Sequence, residues 1–367
     1  MSGSDNGLAP HILHVLPQGA STGLIGAFGT KLRHTLVMAD GAMPAGLQPS
    51  AYLRLASNFP PIEGLPTPGR MQKLARAMTP FDLVLTHGPE ALDVAMAHTL
   101  FKDAMSLPAL VHHEYEPDEK SVLKRKWYRR LALGKSAGVV VPGETLEAAA
   151  LVDWQQPLGR VKRIAPGIDT KAFAKRPKKD GFRLIKRDGE RWIGMHRECS
   201  SDAGLARVLE AFAPLGEDFH LVILGQTEEQ SDIEAVVDRL EINHRVHHAG
   251  EVTDMPKVMG LFDIYVQPDS PVSFPVHIVE AMAAAVPVIA PGGGEIEELL
   301  SKENRNWLPN AGDADALASF LRDLSADATL RKAVGEANRA RAVKEFDRDK
   351  TIATYRRLYS SAMKREF

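Results

Sequence analysis

Hydrophobic positions along the chain fall into short, dense runs separated by polar loops and by stretches of helical spacing. Runs of this kind predict strands at His11–Leu16, Thr35–Met38, Phe81–Thr86, Leu107–Val111, Gly138–Val141 and Val161–Ile164. A second series follows at Trp192–Met195, Phe219–Leu224, Ile264–Val266 and Val288–Ala290. Between them, apolar residues recur at helical intervals, as in Leu205, Val208, Leu209 and Phe212. Further helices are predicted over 90–101, 118–137, 144–152, 230–240, 276–285 and 295–300, and three more over 313–324, 328–346 and 350–363. The proline-rich segment 44–68 assigns no element. Alternation of strand and helix, joined by short loops, predicts parallel α/β architecture.

The stretch Asp263–Leu300 holds this alternation in its densest form: strand, polar loop, helix, strand, glycine loop, helix. Pro275 suits the first turn of the helix that follows the first loop, because its missing N–H costs nothing there. Pro287 stops that helix, and Gly292, Gly293 and Gly294 follow the second strand. Ligands in open parallel sheets bind outside the carboxyl ends of strands. Both loops, 267–274 and 291–294, lie after a strand and before a helix, where backbone N–H groups can meet an anion. Glu280 is the one carboxylate on an otherwise apolar, alanine-rich helix. It is either a ligand-facing group or a solvated one.

Length and composition narrow the picture. A chain of 367 residues exceeds what one core usually serves, so two domains are expected. Apolar residues at 44% and charged ones at 25% are ordinary for a globular protein. A net charge of −2 offers no whole-chain case for nucleic acid. Cys199 is the only cysteine, which excludes an internal disulfide framework and fits a reducing compartment. No apolar run approaches the ~20 residues of a membrane span, and the first residues lack the pattern of a signal peptide. The cytoplasm, with the inner face of a membrane as an option, is the expected location.

Several other places carry candidate chemistry. Residues 17–29 form a glycine-bearing turn after the first strand, with Gly19 and Gly23 among its small residues; it is not a P-loop. The fourth predicted strand runs into His112, His113, Glu114, Tyr115 and Glu116. Histidine at a strand's carboxyl end can act near neutral pH or donate to phosphate. A metal site there is disfavoured, since adjacent residues on extended backbone point oppositely. The helix 118–137 is strongly basic, with Val122, Leu123, Trp127, Leu131 and Leu133 as apolar positions. Its apolar stripe is either core or an interfacial surface for an anionic membrane. Residues 171–190 are basic and polar, the composition of a linker.

Glu280-Ala281-Met282-Ala283, Pro287-Val288 and the triple glycine resemble the donor-site signature of the retaining group 1 glycosyltransferases. Gly204 with Glu210-Ala211-Phe212, and Pro166-Gly167-Ile168-Asp169, resemble two further segments of that family. The resemblance implies a GT-B fold: two Rossmann-like parallel-sheet domains facing a central cleft. Its parts would be an acceptor domain over 1–170, a linker over 171–190, a nucleotide-sugar domain over 191–345, and a C-terminal helix over 346–367 crossing back. It implies transfer of a sugar from a nucleotide-diphosphate sugar to a hydroxyl of a glycan or lipid-linked acceptor, with retention. The nucleotide sugar is a co-substrate, and neither metal nor other cofactor is implied. Glu280 would bind ribose. Ser273, Phe274, Pro275, Gly292, Gly293 and Gly294 would meet sugar and phosphates, and His112 or His113 and the loop bearing Gly19 and Gly23 would lie across the cleft. The family's first glutamate falls on Val272, its lysine on Ala203 and its arginine at or near Met195, so His196 and Arg197 are the local substitutes. The changed charges leave a second class open, a GT-B protein that binds a ligand or partner without chemistry.

Overall fold

A computed structural model describes residues 9–17, 23–44, 47–115, 123–180, 182–226, 231–270 and 274–367. The chain divides into two compact units, Met1–Ala165 with Thr351–Phe367, and Pro166–Lys350. Each is built on its own parallel sheet.

The first unit has seven strands: β1 (His11–Leu16), β2 (Arg33–Met38), β3 (Leu53–Leu55), β4 (Leu83–His87), β5 (Ala109–His113), β6 (Gly138–Val141) and β7 (Val161–Arg163). They lie in the order β3-β2-β1-β4-β5-β6-β7, so the winding reverses between β1 and β4. All neighbours are parallel. The helices are α1 (Gly23–Phe28), α2 (Pro68–Met78), α3 (Leu92–Met105), α4 (Leu123–Ala132) and α5 (Glu144–Val152). Successive strand residues face opposite ways. Leu13 and Val15 therefore join Leu74, Met78 and Val94 on one face. Ile12 joins Phe28, Val111 and Val140 on the other, where the C-terminal helix Arg348–Met363 adds Tyr355 and Tyr359.

Three elements here escaped the sequence pattern, α1 among them, which lies within the stretch read as a turn. β3 has only three residues, too few for alternation to register. Helix α2 has clear signals once its start is known. The Thr67 hydroxyl caps Arg70 N–H, Pro68 occupies the first turn, and Met71, Leu74, Ala75 and Met78 form the buried stripe. The prolines that crowd the approach to this helix obscured its beginning.

The second unit has five parallel strands: β8 (Arg191–His196), β9 (Phe219–Leu224), β10 (Val246–Gly250), β11 (Ile264–Val266) and β12 (Val288–Ile289). Their order is β10-β9-β8-β11-β12, with the reversal between β8 and β11. Helices α6 (Asp202–Phe212), α7 (Ser231–Arg239), α8 (Val276–Ala283), α9 (Gly294–Leu299), α10 (Ala314–Ala326) and α11 (Ala328–Glu345) surround it. Leu205, Val208, Leu209 and Phe212 of α6 enter the core with Ile193, Ile223 and Leu321. The basic stretch before β8 carries more structure than its composition suggested. Phe173 is buried, and the Lys186 ammonium is buried against Leu261 O and the Asp263 carboxylate, each at 2.6 Å.

The position of α8 is set by α11. A Cβ on Gly335 would stand 2.0 Å from Ala285 O, so only glycine allows this approach. Next to it the Asn338 side chain donates to Val286 O (3.2 Å) and to Asn304 Oδ1 (2.7 Å). Asn304 in turn bonds both Val288 N–H and Val288 C=O. Buried amides satisfied in this way fix strand β12 and the end of α8 to α11. Among the described residues no helix is long and apolar enough to cross a membrane.

Candidate functional site

The winding reversal in the second unit places the carboxyl ends of β8 and β11 side by side, the position where open α/β sheets form a crevice. β8 delivers His196 there. Its ring is 6% exposed, and among the described residues neither ring nitrogen has a hydrogen-bond partner. It stacks on the ring of His277, centroids 3.8 Å apart and planes within 10°. Burial, and then the neighbouring His277, push the His196 pKa down to about 3, so the ring is neutral at physiological pH.

His277 stands in the first turn of α8, one turn before Glu280, and its Nδ1 lies 2.9 Å from Glu280 Oε2. An ionised carboxylate only accepts, so His277 is the donor. Glu280 is 15% exposed, and among the described residues its carboxylate has no other partner. Tyr265 Oη and Gln267 Oε1, on and just after β11, are also buried without partners among the described residues. One row of groups, His196, His277 and Glu280, thus lies next to two polar atoms with hydrogen-bonding capacity to spare.

Around the start of α6 the charges are committed. Arg197 donates to Ser200 O at 2.6 Å and pairs with Asp202. The Asp269 carboxylate takes Ser201 N–H (2.6 Å), the Ser201 hydroxyl (2.7 Å) and Arg207 (2.7 Å). It lies over Gly204, where a Cβ would meet it at 2.3 Å. Gly204 is therefore required by Asp269, and an internal carboxylate already serves this helix start. Ala203, at the family's lysine position, is exposed.

Pro275 is buried and immediately precedes α8, while Phe274 is half-buried with its ring 6.5 Å from that of Phe346. Val272 and Ser273 lie outside the described residues. Gly292 N–H bonds Pro309 O (2.8 Å), and Gly293 and Gly294 take φ of +100° and +55°, values that favour glycine.

Residues 178–341 match the family model described as glycosyl transferases group 1. That segment covers most of the second unit. Among curated proteins, the chain is 24% identical over 309 residues to the MMP alpha-(1->4)-mannosyltransferase of Mycolicibacterium hassiacum, covering 78% of this chain and 72% of that one. It is 26% identical over 159 residues to the N-acetyl-alpha-D-glucosaminyl L-malate synthase of Bacillus anthracis, covering 43% and 42%. It is 27% identical over 205 residues to the phosphatidyl-myo-inositol mannosyltransferase of Mycobacterium leprae, covering 54% and 53%. The match thus spans about half the length of the latter two relatives. Among solved structures, Anabaena HepE in complex with UDP aligns with a TM-score of 0.74 at 16% identity, covering 96% of this chain and all of that one. A glycosyltransferase from Rickettsia africae gives the same TM-score and identity over 97% and 99%. The fold is that of the GT-B glycosyltransferases.

In the first unit of this glycosyltransferase fold, His112 and His113 are the last two residues of β5 and are fully buried. His112 Nδ1 meets Thr86 Oγ1 at 3.0 Å, and its Nε2 lies 3.7 Å from Glu114. Burial would raise the Glu114 pKa, but His112 and Arg129 (2.7 Å) outweigh it, so the carboxyl sits below its ordinary value. His113 Nε2 pairs with Tyr359 Oη at 2.9 Å, and its ring stacks on His87 at 4.4 Å. His87 Nδ1 meets Tyr115 Oη at 3.0 Å, and His14 Nε2 meets His34 Nδ1 at 2.9 Å. Burial pushes His113 to about 3, His34 to about 4, and His14 and His87 well below the usual range. Gly23 opens α1 and is exposed, whereas Gly19 lies outside the described residues. Among the described residues no three histidine, cysteine or carboxylate groups converge to hold a metal.

His277 was not among the residues singled out from the sequence. The signal was present: a histidine three residues before Glu280 on one helix shares its face. Tyr265 and Gln267 left no such trace, because only the strand order brings them to the reversal point.

Proposed function

We propose that the chain is a retaining hexosyltransferase. It takes a UDP- or GDP-linked hexose and transfers the sugar to a hydroxyl of a glycan or lipid-linked acceptor. The observation that carries this is the partly exposed Glu280 carboxylate, held by His277 at the β8–β11 reversal with one oxygen unengaged. A carboxylate so fixed is suited to accept from the vicinal hydroxyls of a ribose. Support comes from the names of the relatives, mannosyltransferases among them, and from the UDP in the HepE complex. Neutral His196, Gln267 and the glycine segment 292–294 are the groups proposed to face the sugar and diphosphate. Arg197 and the start of α6 are not, since Asp202 and Asp269 already engage them. Neither metal nor cofactor enters the reading, and chelation of divalent ions is expected to leave transfer unchanged.

The test is calorimetry with UDP, GDP and their hexose conjugates, followed by a transfer assay. One nucleotide series should bind, and Glu280→Ala should weaken it about 10- to 100-fold, the worth of one hydrogen bond to a charged group. Unchanged affinity in Glu280→Ala removes this site. Failure of every conjugate to bind favours a GT-B protein without chemistry.

A further inference from the structure

Helix α4 turns its apolar stripe outward. Leu123, Trp127 and Leu131 recur every fourth residue and are 74%, 55% and 56% exposed. The opposite side holds the helix to its unit. Arg129 is buried in its ion pair with Glu114, the Tyr128 hydroxyl donates to Asp93, and the Thr99 hydroxyl donates to Ala132 O at 2.7 Å. These bonds fix the rotation, so the exposed stripe is a property of the folded unit. Of the two readings open at the level of sequence, core is excluded for Leu123, Trp127 and Leu131.

The stripe has a cationic setting. The sequence of α4, LKRKWYRRLA, contains no acidic residue. Lys124 and Arg125 are exposed on its first turn, and the Arg130 guanidinium lies 5.0 Å from the Trp127 ring centre. Leu100, next to the Thr99 that holds Ala132, is also exposed. Apolar side chains standing among cations, with an amphipathic indole between them, match a headgroup layer above acyl chains.

We propose that this face of α4 is a peripheral docking surface for an anionic lipid bilayer. A second copy of the chain fits it less well, because a two-fold contact would set this cationic helix against itself. The proposal rests on α4 alone and stands whether or not the transferase reading holds.

The test uses the full chain with phosphatidylcholine vesicles prepared with and without phosphatidylglycerol. Partitioning is read by co-sedimentation. The wild type should bind the anionic vesicles and bind neutral ones more weakly. Trp127→Ser/Leu131→Ser, which removes apolar contact, and Lys124→Ser/Arg125→Ser, which removes charge, should each lower partitioning about tenfold or more. None of the four side chains is buried, so circular dichroism and nucleotide affinity should match the wild type. No partitioning by the wild type overturns the proposal. So does wild-type partitioning by Trp127→Ser/Leu131→Ser. A lipid-free dimer that the same variant abolishes reassigns the surface to a second copy.

Discussion

The two units wind their sheets alike and both bury histidines at strand ends, those of β4 and β5 in one and of β8 in the other, yet the two sets are differently employed. In the first unit, His14, His34, His87, His112 and His113 each have a side-chain partner on at least one ring nitrogen. Tyrosines from β5's loop and from the C-terminal helix join the network, in which His34, His87 and His112 each keep one buried nitrogen without a hydrogen-bond partner among the described residues. In the second unit, His196 has stacking but no hydrogen-bond partner among the described residues, and Tyr265 and Gln267 beside it are likewise unfinished. A buried ring tied by at least one polar partner is fixed in a packed interior. Unfinished polar groups cost free energy unless something supplies their partner. The difference teaches that a histidine at a strand end is not by itself a site; His196 is set apart because neither of its nitrogens is engaged among the described residues, whereas each ring of the first set keeps at least one partner.

Acid should separate the units most strongly. His14, His34, His87 and His113 of the first unit are held neutral by burial, with folded pKa values of about 3 for His113 and about 4 for His34 against an ordinary 6.5. A depressed pKa means that the unfolded chain takes up protons first. This stabilisation is complete above pH 6.5 and is lost as the pH falls from there toward the folded values. Each such group gives a slope of about 1.4 kcal/mol per pH unit. His196 of the second unit is held to about 3 as well, but the first unit carries more such groups, so its hydrogen exchange should accelerate before that of the second as pH drops from 7 to 5. Equal sensitivity of the two units would break the comparison.

A smaller effect is expected from removing one member of each set. His113→Ala leaves Tyr359 Oη without a partner beside a cavity and should destabilise the first unit by about 2–4 kcal/mol in denaturant melts. Nucleotide affinity, measured where the variant is folded, should be retained if this histidine is structural. His277→Ala should do the reverse. The melting temperature should move little, since the ring is partly exposed, while nucleotide affinity falls about tenfold through loss of the bond that orients Glu280. His277→Gln should recover part of that loss, because its amide can still donate. Weakened nucleotide binding in His113→Ala, or none in His277→Ala, would merge the two sets into one class.

Much of this fold was legible before any coordinates. β1, β6, β9 and β11 have the boundaries that their apolar runs predicted. Local composition suffices for them, because a buried parallel strand must be apolar on both faces. The family segments gave Glu280 and the glycine segment 292–294 in the same way. Less legible was what each charge meets. Arg197 belongs to Asp202, Asp269 serves the start of α6, and His277 rather than a more distant group holds Glu280. Basic composition told of a surface helix over 118–137, but which side of it faces the unit was open.

Periodicity and motif spacing by themselves determined two parallel-sheet units, their order along the chain, and a carboxylate on an apolar helix. Those properties depend on neighbours within a few residues. Tertiary structure alone decided that β8 lies beside β11, that Arg129 is drawn inward while Trp127 is left outside, and that the buried histidines of one unit meet side-chain partners while His196 meets none among the described residues. Each of these is settled by partners scores of residues away in the chain, and a hydrogen bond or a buried charge has no local sequence signature when its partner arrives from another element.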